Sequence, residues 1–226
     1  MTGHRQFRRQ YYISRINAVP TTADPLPAAA VDVFPWGDPA GENPPGGENP
    51  PAGNDYRPVT TARMAADDAA LYVYMKTSET GLRAEERGFS GQVYTDSCME
   101  LFLMPDPAHS SRYLNWEFNP RGAMYLSLGT SRHDRENIRV EKYLDFFQVK
   151  TEVQSGGWGL EYGIPVDFLR RYFPALKWLS GHVMRGNFYK CGDKTDHPHY
   201  ACWSPIDLPR PDFHCPLFFG DLILKH

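Results

Sequence analysis

Between Asp96 and Asn119 the chain twice alternates apolar and polar side chains with a period of two. In residues 96–103, Ser97, Met99, Leu101 and Leu103 fall on one side, and Asp96, Cys98, Glu100 and Phe102 on the other. In residues 113–119, Leu114, Trp116 and Phe118 share one side, and Asn115, Glu117 and Asn119 share the opposite one. Only extended backbone sends residues i, i+2 and i+4 the same way. Both segments are therefore strands with one apolar face, and a second layer must cover that face.

The other segments fit this requirement. Residues 11–18 read as a first strand, and Val31 to Trp36 as a small edge segment. Residues 60–64 and 70–76 form two more strands; Leu71-Tyr-Val-Tyr-Met75 is β-branched and aromatic, as a half-buried strand should be. Pro120-Arg-Gly122 turns the chain into a strand at 123–128, followed by a polar loop at 129–138. Residues 146–153 and 158–164 flank Ser155-Gly-Gly157 as a second hairpin, and 183–191, 200–203 and 219–224 close the set. Val166 to Phe173, held between Pro165 and Pro174, is the one helical segment. Many short strands with Gly/Pro turns predict an all-β chain: a two-sheet antiparallel β-sandwich, jelly-roll or immunoglobulin-like, with one short helix. Residues 1–226 are expected to form a single domain. A Pro/Gly-rich loop at about 37–55 repeats Gly-Glu-Asn-Pro-Pro at 41–45 and 47–51, too short and polar to be a structural unit.

Composition excludes some functions. With 24 basic against 27 acidic residues and no basic stripe, the chain lacks the footprint of a nucleic-acid binder. No run of about eighteen apolar residues could cross a membrane as a helix. The N-terminus has no apolar signal region, so a cytoplasmic location is expected. The four cysteines (Cys98, Cys191, Cys202, Cys215) are too sparse for a disulfide framework and read as reduced thiols.

The same parity assembles a candidate site. In the strand at 183–191, Phe188 points to the core, so Asn187, Tyr189 and Cys191 point away. Glu100, Glu117, Asn119, Asn187 and Tyr189 then share one polar face. Carboxylates, amides and a phenol are the groups that grip hydroxyls. Trp203, Phe213 and Tyr94 are near enough in sequence to these strands to stack on the apolar face of a sugar ring. The stretch from Gly186 to Gly220 holds three of the four cysteines and three of the eight histidines, with Lys190 among its polar side chains.

These residues resemble the family 9 carbohydrate-binding modules, from about Arg57 to Leu224. The marks are Asp96-Ser-Cys-Met-Glu-Leu-Phe, Tyr113-Leu-Asn-Trp-Glu-Phe-Asn, Asn187-Phe-Tyr-Lys-Cys-Gly-Asp193, His197-Pro-His-Tyr, Trp203-Ser-Pro and Phe219-Gly-Asp-Leu. The resemblance implies a β-sandwich that clamps a sugar end between two aromatic rings over polar side chains. It maps a glutamate onto Glu100, two polar positions onto Glu117 and Asn119, and a family glutamine onto Tyr189. One clamp ring falls on Phe213 and the other near Tyr94, both tryptophan in the better-known modules. Structural calcium is also implied. The ligand-binding set is then Glu100, Glu117, Asn119, Asn187, Tyr189, Lys190, Trp203, Phe213 and Tyr94, with a mono- or oligosaccharide as partner.

An enzyme is the rival reading. Glu100 and Glu117 could be a glycosidase acid–base pair, since neighbouring strands permit the required carboxyl separation. Alternatively, Cys191, His197, His199 and His214 offer zinc ligands, although their spacing matches no recognised motif. Binding without catalysis is the expectation, with these side chains as hydrogen-bonded loop anchors.

Overall fold

A computed structural model describes residues 8–17, 26–36 and 55–225. The expected loop at 37–55 therefore lies outside the described residues, apart from Asp55.

The described residues form thirteen strands, in order: β1 (Gln10–Arg15), β2 (Ala29–Ala30), β3 (Thr60–Ala66), β4 (Ala70–Thr77), β5 (Cys98–Met104), β6 (Tyr113–Phe118), β7 (Met124–Gly129), β8 (Arg135–Asn137), β9 (Lys150–Gln154), β10 (Gly157–Pro165), β11 (Val183–Cys191), β12 (Tyr200–Cys202) and β13 (Gly220–Leu224). One layer runs β8-β7-β6-β5-β11-β13-β1, with β12 on β11; the other runs β1-β3-β4-β10-β9, with β2 on β3. Strand β1 belongs to both. Its first residues pair in parallel with β13 (Gln10 opposite Asp221 to Ile13 opposite Leu224). Its last two pair in parallel with β3 (Ser14 opposite Ala65, Arg15 opposite Ala66).

The two layers face each other across one core. Met99, Leu101, Leu103, Leu114, Trp116, Phe118 and Phe188 come from the first, and Met64, Val73, Met75, Leu160, Tyr162 and Ile164 from the second. The expected two-sheet sandwich is present, with two departures. Strand β1 makes parallel pairs where only antiparallel ones were expected, because alternation fixes a strand's faces and says nothing of its neighbours' direction. The described residues also hold two short α-helices, α1 (Tyr143–Phe146) and α2 (Val166–Tyr172). The expected strand at 146–153 begins only at Lys150. Before it, α1 starts after Lys142 (φ 48°), and Gln148 (φ 51°) reverses the chain. Phe147 is thereby buried against Trp116 and Phe168 by a turn rather than by strand pairing.

The other face of the first layer carries the polar side chains assigned to the sugar site. It is roofed by loops: Val93, Ile206, Phe213 and Phe218 pack with Cys98, Phe102, Tyr113, Tyr189 and Cys202 in a second apolar cluster. A pocket opens through this roof.

Candidate functional site

Register decides which side chains meet at that opening. On the first layer, Tyr189, Glu100, Glu117 and Tyr125 are consecutive cross-strand partners on β11, β5, β6 and β7. Directly opposed residues point to the same side of a sheet, so these four form a row. The parallel row Cys191–Cys98 lies on one side of it, and Asn187–Phe102–Asn115–Ser127 on the other.

Above the row is a pocket of about 390 Å³. Glu100, Glu117 and Cys191 lie at its buried end; Tyr94, Tyr125, Arg135, Phe213 and His214 are among its walls. Sequence parity placed Glu100 and Glu117 on this face, and the structure brings both to the pocket with Tyr94 and Phe213. Tyr94 is 41% exposed. Phe213 is a fixed wall: its ring lies flat on Tyr189, with centroids 4.0 Å apart and planes at 7°. Tyr189 Oη donates to the carbonyl of Phe213 at 3.0 Å, which locks the stack. Tyr189 thus supports the wall from beneath.

The carboxyl pair sets the electrostatics. Glu117 Oε1 accepts from Asn115 Nδ2 at 2.8 Å, and Asn115 Oδ1 accepts in turn from the Ser127 hydroxyl. Glu117 Oε2 is buried with no hydrogen-bond partner in the protein. Glu100 Oε1 lies 3.0 Å from Cys191 Sγ. Burial pushes the Glu100 carboxyl up to about 7, partly opposed by the contact with Cys191. Burial, then the neighbouring charge of Glu100, holds Glu117 well above the usual carboxylate range. Two like charges on opposed positions cannot both ionise cheaply, so the pair retains a proton into the neutral range. His214 goes the other way: burial, then the charges of Arg135 and Arg132, push its imidazole down to about 2. Arg135 Nη1 donates to His214 Nε2 at 2.8 Å. That assigns the ring proton to Nδ1, which lies 2.8 Å from Tyr113 Oη.

Four expected members of the site lie elsewhere. Trp203 is in the main core, edge-on to Phe188 (5.7 Å) and Tyr11 (6.5 Å). The amide of Trp203 bonds the carbonyl of Phe188 at 2.9 Å, extending the β11–β12 ladder by one residue. Cys202 is opposite Tyr189, so the next side chain falls on the Phe188 side. The same parity turns Lys190 away; it is fully buried, its Nζ 2.9 Å from Glu79 Oε2. Asn187 gives its oxygen to the amides of Phe188 and Ser204 and its Nδ2 to the carbonyl of Ser204. Asn119 accepts from the amides of Arg121 and Ala123 and donates to Asp96 and Glu86. Both asparagines face the expected way, but they hold loops, and neither lines the pocket.

The expected zinc group is likewise dispersed. His197 stacks on Tyr56, His199 Nδ1 bonds the carbonyl of His197, and His199 Nε2 lies 3.9 Å from Glu79. His214 stands in the pocket wall and Cys191 at its floor. Among the described residues, the one group of three such side chains at metal-ligand spacing is Cys98, Glu100 and Cys191. Two sulfurs and one carboxylate are not a calcium cage, which needs six to eight oxygens. The structural calcium implied by resemblance thus finds no matching carboxylate cluster there.

Tyr125, Arg135 and His214 are wall residues that the sequence did not assign to the sugar site. Tyr125 was within reach: Met124, Leu126 and Leu128 face the core, so parity turns Tyr125 to the polar face. Arg135 carried no signal, because β8 lies in a stretch that reads as polar loop.

The model of a family described as carbohydrate-binding family 9 matches residues 51–224. The chain belongs to carbohydrate-binding family 9. Among solved structures, this family 9 chain is similar to a candidate carbohydrate-binding protein from Bacteroides uniformis ATCC 8492, at 27% identity and a TM-score of 0.76, over 96% of this chain and all of that one. It also has the fold of a family 9 module from Caldicellulosiruptor kristjanssonii. That module's glucose complex gives 14% identity and a TM-score of 0.61, with 96% of each chain covered. Its cellotriose complex gives 14% and 0.60, over 96% of this chain and 94% of that one. No curated protein matches the chain.

Proposed function

We propose that this family 9 chain binds carbohydrate in the pocket over Glu100 and Glu117, with Phe213 and Tyr94 as the aromatic walls. The observation that carries this reading is Glu117 Oε2, a buried carboxyl oxygen without a partner, at the closed end of a 390 Å³ pocket. A buried polar atom left unsatisfied is costly, and a sugar hydroxyl, which both donates and accepts, would satisfy it. The volume is at the small end of the roughly 300–1,000 Å³ range for ligand pockets, which favours a mono- or short oligosaccharide. Phe213, braced by Tyr189, offers a rigid surface for the C–H face of a pyranose. The ligands seen in the Caldicellulosiruptor complexes, glucose and cellotriose, are the natural first probes.

The carboxyl pair favours binding over hydrolysis. Glycoside cleavage places acid and base on either side of the scissile bond. Glu100 and Glu117 stand side by side on one floor, so both approach a ligand from the same direction.

Calorimetric titration with glucose, cellobiose and cellotriose tests the site. Phe213→Ala should weaken the tightest of them by about 1–3 kcal/mol, on the scale of stacking on aromatic rings. Glu117→Gln should cost about 1.5–3 kcal/mol. Parent-like affinity in both folded variants would place the site elsewhere. Cleavage of an aryl glycoside that disappears in Glu117→Gln would replace binding by hydrolysis.

A further inference from the structure

Cys98 and Cys191 are directly opposed on β5 and β11, so both thiols rise from the same face of the sheet. Glu100 is two residues from Cys98 on that face. A sulfur from each cysteine and one carboxylate oxygen of Glu100 lie within 4.8 Å of one another. Cys191 and Glu100 both line the pocket, so the group can be reached from solvent. We propose that Cys98, Cys191 and Glu100 form a binding site for a thiophilic divalent cation such as zinc, with its fourth coordination position open to the pocket.

Geometry and chemistry both favour this ion class. Zinc bonds thiolate at about 2.3 Å and carboxylate at about 2.0–2.2 Å, in tetrahedral array. Those bond lengths put the two sulfurs about 3.8 Å apart, and each sulfur slightly closer to the oxygen. In the protein Cys191 Sγ lies 3.0 Å from Glu100 Oε1, and the three donor atoms lie within 4.8 Å of one another. Its donors come from the middle of a hydrogen-bonded sheet, which holds their Cα atoms in place. Two soft sulfurs select zinc, cadmium or cobalt over calcium and magnesium, which require oxygen ligands.

The proton balance is explicit. Both thiols are neutral when the site is empty, because burial pushes Cys98 up to about 12 and Cys191 higher than its ordinary value. The arriving cation displaces one proton from each thiol, and from Glu100 where its carboxyl is protonated; these protons pass to solvent. Two thiolates and a carboxylate around a divalent cation leave one net negative charge. Lys190 and Arg135, whose charges already act on Glu100, oppose it. The fourth position falls to water from the pocket.

The test is titration of the reduced, metal-free full chain with cobalt(II), followed by displacement with zinc against a chromophoric chelator. One equivalent should bind and give an intense thiolate-to-cobalt charge-transfer band, lost on adding zinc. In Cys98→Ser/Cys191→Ser the affinity should fall by more than the 10–100-fold typical of changes outside the ligand shell, and the band should vanish. Glu100→Gln should keep the band with weaker binding. Cys215→Ser, a half-buried thiol elsewhere, should leave both affinity and band at the parent's values. No band in the reduced parent overturns the proposal without reference to any variant. Parent-like affinity in the double variant, or loss of the band in Cys215→Ser, overturns it as well.

Discussion

At the scale of single residues, the fate of Lys190 separates position in sequence from role. It sits between Tyr189 and Cys191, which both belong to the pocket floor or its support, yet it serves the opposite side of the sheet. Its ammonium is fully buried against Glu79, and it also donates to the carbonyl of Cys191 at 2.7 Å. Glu79 further accepts from Ser97 Oγ (2.9 Å) and Trp158 Nε1 (3.3 Å). Breaking one half of a buried pair strands the other charge, at about 3–5 kcal/mol. Lys190→Met is therefore expected to lower stability by that amount in urea denaturation, and replacing Glu79 by Leu as well should recover much of it. A loss under about 1 kcal/mol in the single variant would mean that the buried Lys190–Glu79 pair contributes little to the fold.

At the scale of elements, strand β12 and the residue after it connect the pocket roof to the core. Trp203 packs on Tyr11 of β1 and Phe188 of β11. Gly220, the first residue of β13, leaves the room its ring needs: a Cβ there would come within 2.5 Å of the indole and 2.7 Å of the carbonyl of Arg9. Trp203→Ala should destabilise the fold by about 3–5 kcal/mol, as large core truncations do, while leaving sugar affinity in the folded fraction unchanged. Melting curves beside titration calorimetry check both halves. A stable Trp203→Ala that loses affinity would return this ring to the binding site.

At the scale of the whole molecule, buried ionisable groups pull stability in opposite directions with pH. His199 and His214 are each held down to about 2 in the fold, chiefly by burial, against an ordinary value of 6.5. Below about 6.5 the unfolded chain binds protons that the native state refuses, so stability falls as pH drops. Glu100 is reversed: the native state keeps its proton up to about 7, whereas the unfolded chain releases it near 4.5. Stability falls as pH rises through that window, by on the order of 3 kcal/mol for this group, and the raised Glu117 carries the loss further into the alkaline side. Glu100→Gln/Glu117→Gln should therefore gain on the parent progressively from pH 5 to pH 8 in urea denaturation. Parallel profiles for the two proteins would show that the carboxyls ionise without cost.

The sequence by itself determined the two faces of β5, β6 and β11, because a period of two leaves no other way to bury Met99, Leu101, Trp116 and Phe188 together. From that followed the sandwich and the placing of Glu100 and Glu117 on one polar face, with motifs enough to mark the family. The helix after Pro165 was legible from the prolines that bound it, Pro165 and Pro174. What only the tertiary structure decided depended on which segments meet. Alternation carries no partner's name, so the parallel pairs of β1 and the side taken by Trp203 were out of reach until β12 was seen to pair with β11. Residue type does not reveal a side chain's partners either: Asn119 and Asn187 have the chemistry of sugar ligands, but backbone amides claim it. The roof over the polar face comes from loops, whose course is set by packing rather than period, and it turned an open sheet into a pocket with a buried carboxyl pair.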